Sequence, residues 1–312
     1  MKLIDISILT NIKGLGAVNI VRILNYCKIK NINSVYELQN IDLSSVVSKK
    51  LANTITIYFE NDLDNLNANM ENIIDGYKEE FVHCISYNNK LYPNILKEST
   101  NPPPILYCKG NIDLLESNCV AVIGTRGNTQ IGQEITVKTV DFLVKNKFTI
   151  VSGLANGIDE IAHKTTLENS GYTIAILPLI DIVYTASNRK LADSIINNNG
   201  LLISENKPNT RFNSGLLVKR DRIHSGLSKA VFVIESSKNG GSMHASNDAF
   251  KLNRLLYTPN IYKMKQEYQM LKQVEGIKIL IDSRKSKPYS KNNYDELINQ
   301  LNSKKYSMSI LD

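Results

Sequence analysis

The fold is decided by the stretch Cys119-Val-Ala-Val-Ile-Gly-Thr-Arg-Gly-Asn-Thr129, where a short apolar run ends at a polar loop that contains two glycines. An unbroken apolar run of this length is typical of a parallel β-strand that is buried on both faces. Apolar residues then recur at approximately helical spacing over residues 131–145. The order strand, glycine loop, helix is the opening unit of a Rossmann-like α/β fold.

The same alternation continues downstream of this unit. Five further apolar runs predict strands at Phe148–Val151, Tyr172–Leu177, Leu201–Ile203, Ala230–Ile234 and Arg254–Tyr257. Helices are predicted between and after the strands, over residues 131–145, 156–169, 188–198, 214–226 and 242–252. Short buried strands that alternate regularly with helices predict a doubly wound, mostly parallel sheet with helices on both faces.

Three polar loops that contain glycine follow strands of this sheet, at residues 124–129, 152–159 and 239–242. Ligand sites in such sheets lie beyond the carboxyl ends of the strands, so we expect the three loops to line one crevice. Glycine lets a ligand approach the backbone closely, and the N-terminus of the following helix offers N–H groups to an anion. The sequence therefore predicts a phosphate-binding site at this edge of the sheet.

The predicted phosphate-binding residues come from these loops and from two basic clusters at helical positions, because arginine binds phosphate with two parallel hydrogen bonds. They are Gly124, Thr125, Arg126, Thr129, Ser152, Gly153, Asn156, Gly157, Arg189, Lys190, Arg220, Arg222, Gly240, Gly241 and Ser242.

Three further polar residues, Asp159, His163 and Glu205, are predicted to support the site. Asp159 lies in the first turn of a predicted helix, and His163, four residues later, is expected to hydrogen-bond to it. The histidines show no metal-ligand spacing with cysteines or carboxylates, and the chain contains neither G-x-G-x-x-G nor a Walker A motif. We therefore predict no metal, no cofactor and no catalytic residue.

The chain is predicted to have three regions. Residues 1–75 form a small helical domain of the helix-hairpin-helix or SAM-like kind, because Gly14-Leu-Gly16 has the pattern of such a turn. Residues 76–260 hold the Rossmann-like domain, whose sheet is preceded by strand-like runs at Phe81–Ile85 and Ile105–Cys108. Residues 261–312 are expected to form a small appendage or tail.

Charge is unevenly distributed along the chain. Residues 118–260 carry 16 Lys and Arg against 11 Asp and Glu, and residues 261–312 carry 10 against 6. This excess suits a polyanionic partner. No signal peptide is visible, and the longest apolar run, Thr173–Ala186, is too short to cross a bilayer. The four cysteines form no C-x-x-C pair. We therefore predict a cytoplasmic protein with no membrane partner.

Six blocks of this sequence resemble the DprA/Smf family of DNA-processing proteins, in the same order. They are Val120–Arg126, Ser152–His163, Tyr172–Leu177, Leu202–Glu205, Arg220–Ser228 and Gly240–Ser242. The resemblance covers about residues 80–258, including Leu91-Tyr-Pro93 and Pro103-Pro-Ile-Leu-Tyr107 before the sheet. The chain departs from the family at Asp221, where the family has an amide.

The resemblance implies a homodimer that binds and protects single-stranded DNA and loads a RecA-type recombinase during DNA uptake and recombination. It implies no enzymatic activity. By motif match, it assigns DNA contacts to Arg126, Arg189 or Lys190, Arg220 and Arg222.

Two other functions on the same fold stay open. An enzyme that cleaves nucleoside monophosphates would carry a glutamate in the third loop, but residues 239–247 contain none. A nucleotide sensor would hold one small ligand in the same pocket. Mononucleotide binding without affinity for DNA would distinguish a sensor from a DNA-binding protein.

Overall fold

A computed structural model describes residues 1–60, 62–184 and 186–303. The helices of the described residues are α1 (Leu3–Asn11), α2 (Ala17–Lys30), α3 (Val35–Leu38), α4 (Lys49–Phe59), α5 (Leu63–Glu79), α6 (Asn94–Lys97), α7 (Gln130–Lys145), α8 (Ile158–Glu168), α9 (Arg189–Asn197), α10 (Gly215–Leu227), α11 (Ser242–Lys251), α12 (Gln266–Gln269), α13 (Glu275–Asp282) and α14 (Tyr294–Ser303). The strands are β1 (His83–Ser86), β2 (Ile105–Gly110), β3 (Cys119–Ile123), β4 (Thr149–Ser152), β5 (Thr173–Ile176), β6 (Leu201–Ser204), β7 (Ala230–Val233), β8 (Leu255–Pro259) and β9 (Lys287–Tyr289).

These strands form one sheet in the order β1-β2-β6-β5-β4-β3-β7-β8-β9. Neighbouring strands from β6 to β9 pair in parallel, whereas β2 is antiparallel to β6 and β1 is antiparallel to β2. The predicted α/β fold with a mostly parallel sheet is confirmed. The six strands and five helices predicted for the sheet are all present, with ends that differ from the prediction by no more than two residues.

The strand order creates a crevice between β3 and β7. From β3 the chain builds outwards through β4, β5 and β6, and it then returns to place β7 on the other side of β3. The loops that leave β3 and β7 therefore turn towards opposite faces of the sheet. Such a switch point is where parallel α/β sheets bind ligands.

Side chains of β3 alternate between two apolar cores. Ala121 and Ile123 pack in the core that also contains buried residues of α10, α11 and α13. Val120 and Val122 pack on the other face, with buried residues of α7, α8 and α14. The sheet is thus covered by helices on both sides, which explains why its strands are apolar without interruption.

The N-terminal helices α1–α5 have a third core, which continues onto Tyr107 of β2 and Ile195 of α9. Buried Asp5 ties α1 to α3, since its carboxylate accepts hydrogen bonds from the backbone N–H groups of Lys2 (2.8 Å) and Val35 (2.9 Å). Gly14 joins α1 to α2 with a φ of +84°, in the left-handed region that favours glycine. The helical N-terminal region is confirmed, and its helix-hairpin-helix character stays a prediction.

Residues 261–303 extend the sheet. β9 pairs in parallel with β8, and Leu297 and Leu301 of α14 are buried against the same face as Val120. The appendage or tail expected after residue 260 therefore contributes a strand and helices to the body of the fold over its described part. Residues 304–312 lie outside the described residues. In the described part of the chain, no helix has both the length and the apolar character needed to cross a bilayer.

Candidate nucleic-acid interface

The three predicted loops meet around one cavity of about 400 Å³ at the switch point. The residues that line this cavity, called the switch-point cavity below, come from the three loops and from α8, α10 and α11. They are Ile123, Gly124, Thr125, Arg126, Ala155, Asp159, Ser214, Leu217, Val218, Arg220, Asp221, His224, Gly240, Gly241, Ser242 and Ala245. The structure thus brings together eight of the predicted residues, because the carboxyl ends of their strands share one edge of the sheet.

The first loop is fixed by Glu235, which the sequence analysis missed. The Glu235 carboxylate is fully buried and accepts hydrogen bonds from the Thr129 backbone N–H (2.9 Å) and the Thr129 hydroxyl (2.6 Å). The Tyr268 hydroxyl donates to the same carboxylate (2.9 Å), and the Thr125 N–H donates to the Glu235 carbonyl (2.8 Å). Thr129 therefore shapes the loop and caps α7, and it does not line the cavity. The signal for Glu235 in the sequence is its position as a carboxylate directly after the apolar run of residues 230–234.

The rim of the switch-point cavity offers groups that suit a phosphate. Within the described residues, the backbone N–H groups of Arg126, Gly241 and Ser242 donate no hydrogen bond. Ser242 is the first residue of α11 and Gly241 is its N-cap. The N-terminus of this 10-residue helix carries a partial positive charge. The Arg126 side chain is exposed and has no hydrogen bond or ion pair with any described residue. Groups of this kind bind anions in other proteins, and we call this set the anion-binding rim below.

Arg220 lies under this rim and is buried, with a relative exposure of 5%. Its Nη1 donates to the Ile176 carbonyl at the end of β5 (2.7 Å) and lies 3.4 Å from Nε2 of His224. Gly153 makes room for it, because a Cβ at residue 153 would fall within the guanidinium. Arg220 therefore supplies positive charge from the floor of the cavity.

The second loop is stabilised largely by its own polar groups. Burial raises the pKa of Asp159, whose Oδ2 accepts a hydrogen bond from the Gly153 N–H (3.2 Å). The buried Ser152 hydroxyl donates to the Val122 carbonyl (2.7 Å), so Ser152 does not face the cavity. Gly157, with a φ of +83°, packs against the Thr125 carbonyl and joins the second loop to the first.

Asn188 places the basic residues Arg189 and Lys190 next to the second loop. This buried side chain donates to the Leu154 carbonyl (3.0 Å) and to the Asn156 side-chain oxygen (3.3 Å). Asn156 thus holds the start of α9 rather than lining the cavity. Arg189 and Lys190, which follow in α9, are exposed beside this contact.

Arg222 and Glu205 bind each other away from the cavity. The Arg222 guanidinium donates two hydrogen bonds to the Glu205 carboxylate, and its Nε donates to the Asn101 carbonyl (2.9 Å). Burial alone would raise the pKa of Glu205, but the hydrogen bonds and positive charge of Arg222, together with Lys219, hold it below the ordinary value. The predicted phosphate contact of Arg222 stays a prediction, and the structure places this side chain in an ion pair.

The predicted hydrogen bond between His163 and Asp159 is wrong. The buried His163 ring has its Nδ1 2.7 Å from the Thr173 hydroxyl, and its Nε2 has no partner among the described residues. Burial, with a contribution from the Arg220 charge, lowers the pKa of His163 to about 3, so the ring is neutral. Helical spacing brings i and i+4 residues close, but here α8 turns the ring towards β5.

Asp221 was not predicted as a site residue, yet it lines the cavity next to Arg220. One carboxylate oxygen lies 3.4 Å from Nε of Arg220. Burial raises its pKa to about 6, which the Arg220 charge opposes and the Asp159 charge reinforces. The signal was present in the sequence as the acidic residue within the basic cluster of residues 219–222.

The sequence of the chain matches a known protein family. The family model described as DNA recombination-mediator protein A matches residues 83–302, which is more than two thirds of the chain. The chain belongs to this family. Family membership confirms the resemblance drawn from the six sequence blocks.

Several relatives in the family are 28–37% identical to the chain over the region that aligns. Protein Smf of Synechocystis is 36% identical over 200 residues, which is 62% of this chain and 50% of that protein. DNA processing protein DprA of Bacillus subtilis is 28% identical over 200 residues, 64% of this chain and 67% of that protein. DprA of Streptococcus pneumoniae is 37% identical over 164 residues, 52% of this chain and 57% of that protein. The matched region spans only about half to two thirds of these relatives.

Two solved structures of the family are similar to this chain, one over nearly all of it and one over 70% of it. DprA from S. pneumoniae superposes with a TM-score of 0.79 at 26% identity and covers 95% of this chain and 98% of that one. DprA from Helicobacter pylori, studied for its mode of binding single-stranded DNA, gives a TM-score of 0.61 at 28% identity, with 70% of this chain and 97% of that one covered.

Proposed function

We propose that this recombination-mediator family member binds single-stranded DNA at the rim of the switch-point cavity. The observation that carries the proposal is the anion-binding rim. The N–H groups of Arg126, Gly241 and Ser242, which donate to no described residue, surround the same cavity as the exposed Arg126 side chain. Phosphate bound there would contact oriented backbone N–H dipoles and the positive charge of Arg126. Arg189 and Lys190 supply further charge beside the second loop.

A narrow crevice next to the cavity favours binding of single-stranded DNA over binding of a duplex. Arg126, Gly153 and Tyr184 line this crevice. The Tyr184 ring is half exposed and stacks on Phe212, with ring centroids 4.0 Å apart and planes 18° apart. Unpaired bases stack on exposed aromatic rings, whereas the bases of a duplex are already stacked on one another.

The geometry also favours binding over catalysis. Asp159 is engaged by the Gly153 N–H, and Glu205 is bound by Arg222 and Lys219. Cleavage of a glycosidic bond uses two carboxylates with separate roles. Asp221, the other carboxylate of the cavity, forms an ion pair with Arg220, whose Nε lies 3.4 Å from Oδ1. We therefore propose a non-catalytic role.

The wider role proposed for the protein follows the family. As a homodimer, it would hold and protect a single strand and load a RecA-type recombinase on it. The relevant assay follows recombinase filament growth on a labelled single strand with and without this protein. Faster nucleation supports the role, and an unchanged rate with demonstrated strand binding contradicts it.

The direct test compares single-stranded DNA, duplex DNA and AMP by fluorescence anisotropy at two salt concentrations. We expect tight, salt-dependent binding of the single strand, weaker binding of the duplex and weak binding of AMP. Stronger binding of AMP than of the single strand would contradict the proposal and favour a nucleotide sensor.

A further inference from the structure

The switch-point cavity continues below the anion-binding rim into a space with apolar walls. Ile123 and Ala155 lie on the sheet side, and Leu217, Val218 and Ala245 come from α10 and α11. Val218 is 51% exposed although it lines a cavity. A volume of about 400 Å³ falls within the range of small-molecule sites, about 300–1,000 Å³. Flat aromatic ligands such as nucleobases suit apolar walls of this kind.

Asp221 contributes to this space a carboxylate that forms an ion pair with Arg220 but accepts no hydrogen bond from the described residues. Its carboxylate lies between Nε of Arg220, 3.4 Å from Oδ1, and Gly241, where Oδ2 is 3.8 Å from the position a Cβ would occupy. Neither oxygen accepts a hydrogen bond from any group of the described residues, although only 15% of the side chain is exposed. A carboxylate that is mostly removed from water is stabilised when a ligand supplies N–H donors.

The Arg220 side chain is the charge partner of Asp221 in this space. It is 6% exposed and lines the cavity, yet its Nε has no hydrogen-bond partner among the described residues. Asp159, the other carboxylate in the cavity wall, already accepts the Gly153 N–H. Asp221 therefore keeps acceptor capacity toward a ligand, while Arg220 compensates part of its charge.

Guanine is the nucleobase that matches this acceptor pair. An ionised carboxylate has two oxygens that only accept hydrogen bonds. Guanine presents adjacent N1–H and N2–H donors on its Watson–Crick edge, whereas thymine presents one N–H between two carbonyls. Adenine and cytosine each present one amino group beside an acceptor nitrogen, which a carboxylate repels.

We propose that the switch-point cavity receives a guanine base, whose N1–H and N2–H groups donate to the Asp221 carboxylate while its phosphate lies on the rim. The proposal rests on the proposed binding of single-stranded DNA. The same chemistry would recognise the base of a free guanine nucleotide, so the test includes GMP as well as labelled strands.

The test uses labelled oligothymidylate with one central dG, one central dI or no replacement. Inosine keeps the N1–H of guanine but lacks the amino group. We expect the dG strand to bind about tenfold more tightly than the other two, the effect of one bidentate contact. Asp221→Asn replaces one acceptor with a donor and should bring the three affinities together. Asp248→Asn, on α11 and paired with Lys251, makes the same charge change and should keep the preference.

Each outcome decides between the inference and the function on which it rests. Strand binding with equal affinities for dG, dI and dT overturns the guanine pocket and leaves single-strand binding intact. Binding of GMP without binding of any strand supports the guanine pocket and overturns the strand as its source. Absence of binding to all of these probes overturns both. If Asp221→Asn does not fold, the comparison of dG with dI on the natural protein still decides.

Discussion

The guanidinium of Arg222 faces the carboxylate of Glu205 in a bidentate pair, with Nη1 2.6 Å from Oε1 and Nη2 2.8 Å from Oε2. Glu205 directly follows β6 and Arg222 belongs to α10, so the pair fastens this helix to the edge of the parallel strands. Only 2% of the Glu205 side chain is exposed. The basic cluster of residues 219–222 thus splits by role: Arg222 holds the helix, while Arg220 lies under the cavity.

Arg222→Ala should reduce stability more than DNA binding. The change leaves the Glu205 carboxylate buried with Lys219 as its remaining charge partner. Loss of one member of a buried pair costs about 3–5 kcal/mol, to be measured as the free energy of unfolding in denaturant. Lys219→Ala is the control and should cost less, because 45% of that side chain is exposed. Wild-type stability with weakened DNA binding would instead place Arg222 in the DNA site.

Arg126→Ala should weaken binding of single-stranded DNA by about 1–2 kcal/mol, since an exposed charge loses part of its strength to solvent. The slope of log affinity against log salt should flatten by about 0.7 for the lost phosphate contact. Lys145→Ala removes an equal charge from the opposite end of α7 and should change neither quantity. Equal affinity and slope in folded Arg126→Ala and wild type would move the DNA site elsewhere.

Gly153→Ala should displace Arg220 from the floor of the cavity. The new methyl group would fall within the guanidinium, which is held by the Ile176 carbonyl. Overpacking of this kind lowers the free energy of unfolding by about 1–3 kcal/mol. Because Arg220 is displaced, the affinity for single-stranded DNA should fall as well. Gly127→Ala is the matched control, because a Cβ there meets no atom within 4 Å. If thermal unfolding shows the two variants to be equally stable, the close packing of Gly153 on Arg220 is not significant.

Asp221→Asn should raise stability at neutral pH and not in acid. Burial raises the pKa of Asp221 to about 6 against the opposing charges of Arg220, His244 and Arg126, with the Asp159 charge reinforcing the rise. The folded state therefore binds the proton more tightly than the unfolded chain, and the charged form costs about 1–3 kcal/mol above pH 6. The advantage of the variant should shrink as pH falls from about 6 towards 4. An advantage that is the same at pH 7.5 and pH 4 would show that the pKa of Asp221 is not raised.

Incubation with AMP should release no adenine, because both carboxylates of the cavity are engaged by the protein. Asp221 forms an ion pair with Arg220, and Asp159 accepts the Gly153 N–H. Chromatography of the reaction over several hours measures this directly. Base release that disappears in both Asp159→Asn and Asp221→Asn would establish an enzyme. Release that persists in both variants would point to a contaminating activity.

The order of strands, glycine loops and helices from Cys119 to Tyr257 was available from the sequence alone. Each of these elements leaves a local mark: apolar runs for buried strands, helical periodicity between them, and glycine where the backbone turns sharply. The convergence of the three loops also followed, since parallel strands place their carboxyl ends on one edge. β9 was not predicted, because its three residues, Lys287–Tyr289, carry no apolar pattern.

Only the tertiary structure decided what each polar side chain does at that edge. Glu205 and Arg222 are 17 residues apart and Thr129 and Glu235 are 106 residues apart, so no local spacing links either pair. Neighbours in the basic cluster likewise have different roles, because successive residues of α10 point in different directions from the helix axis. The sequence shows where charge is concentrated, whereas packing determines which charges are paired and buried and which, like Arg126, remain exposed to a ligand.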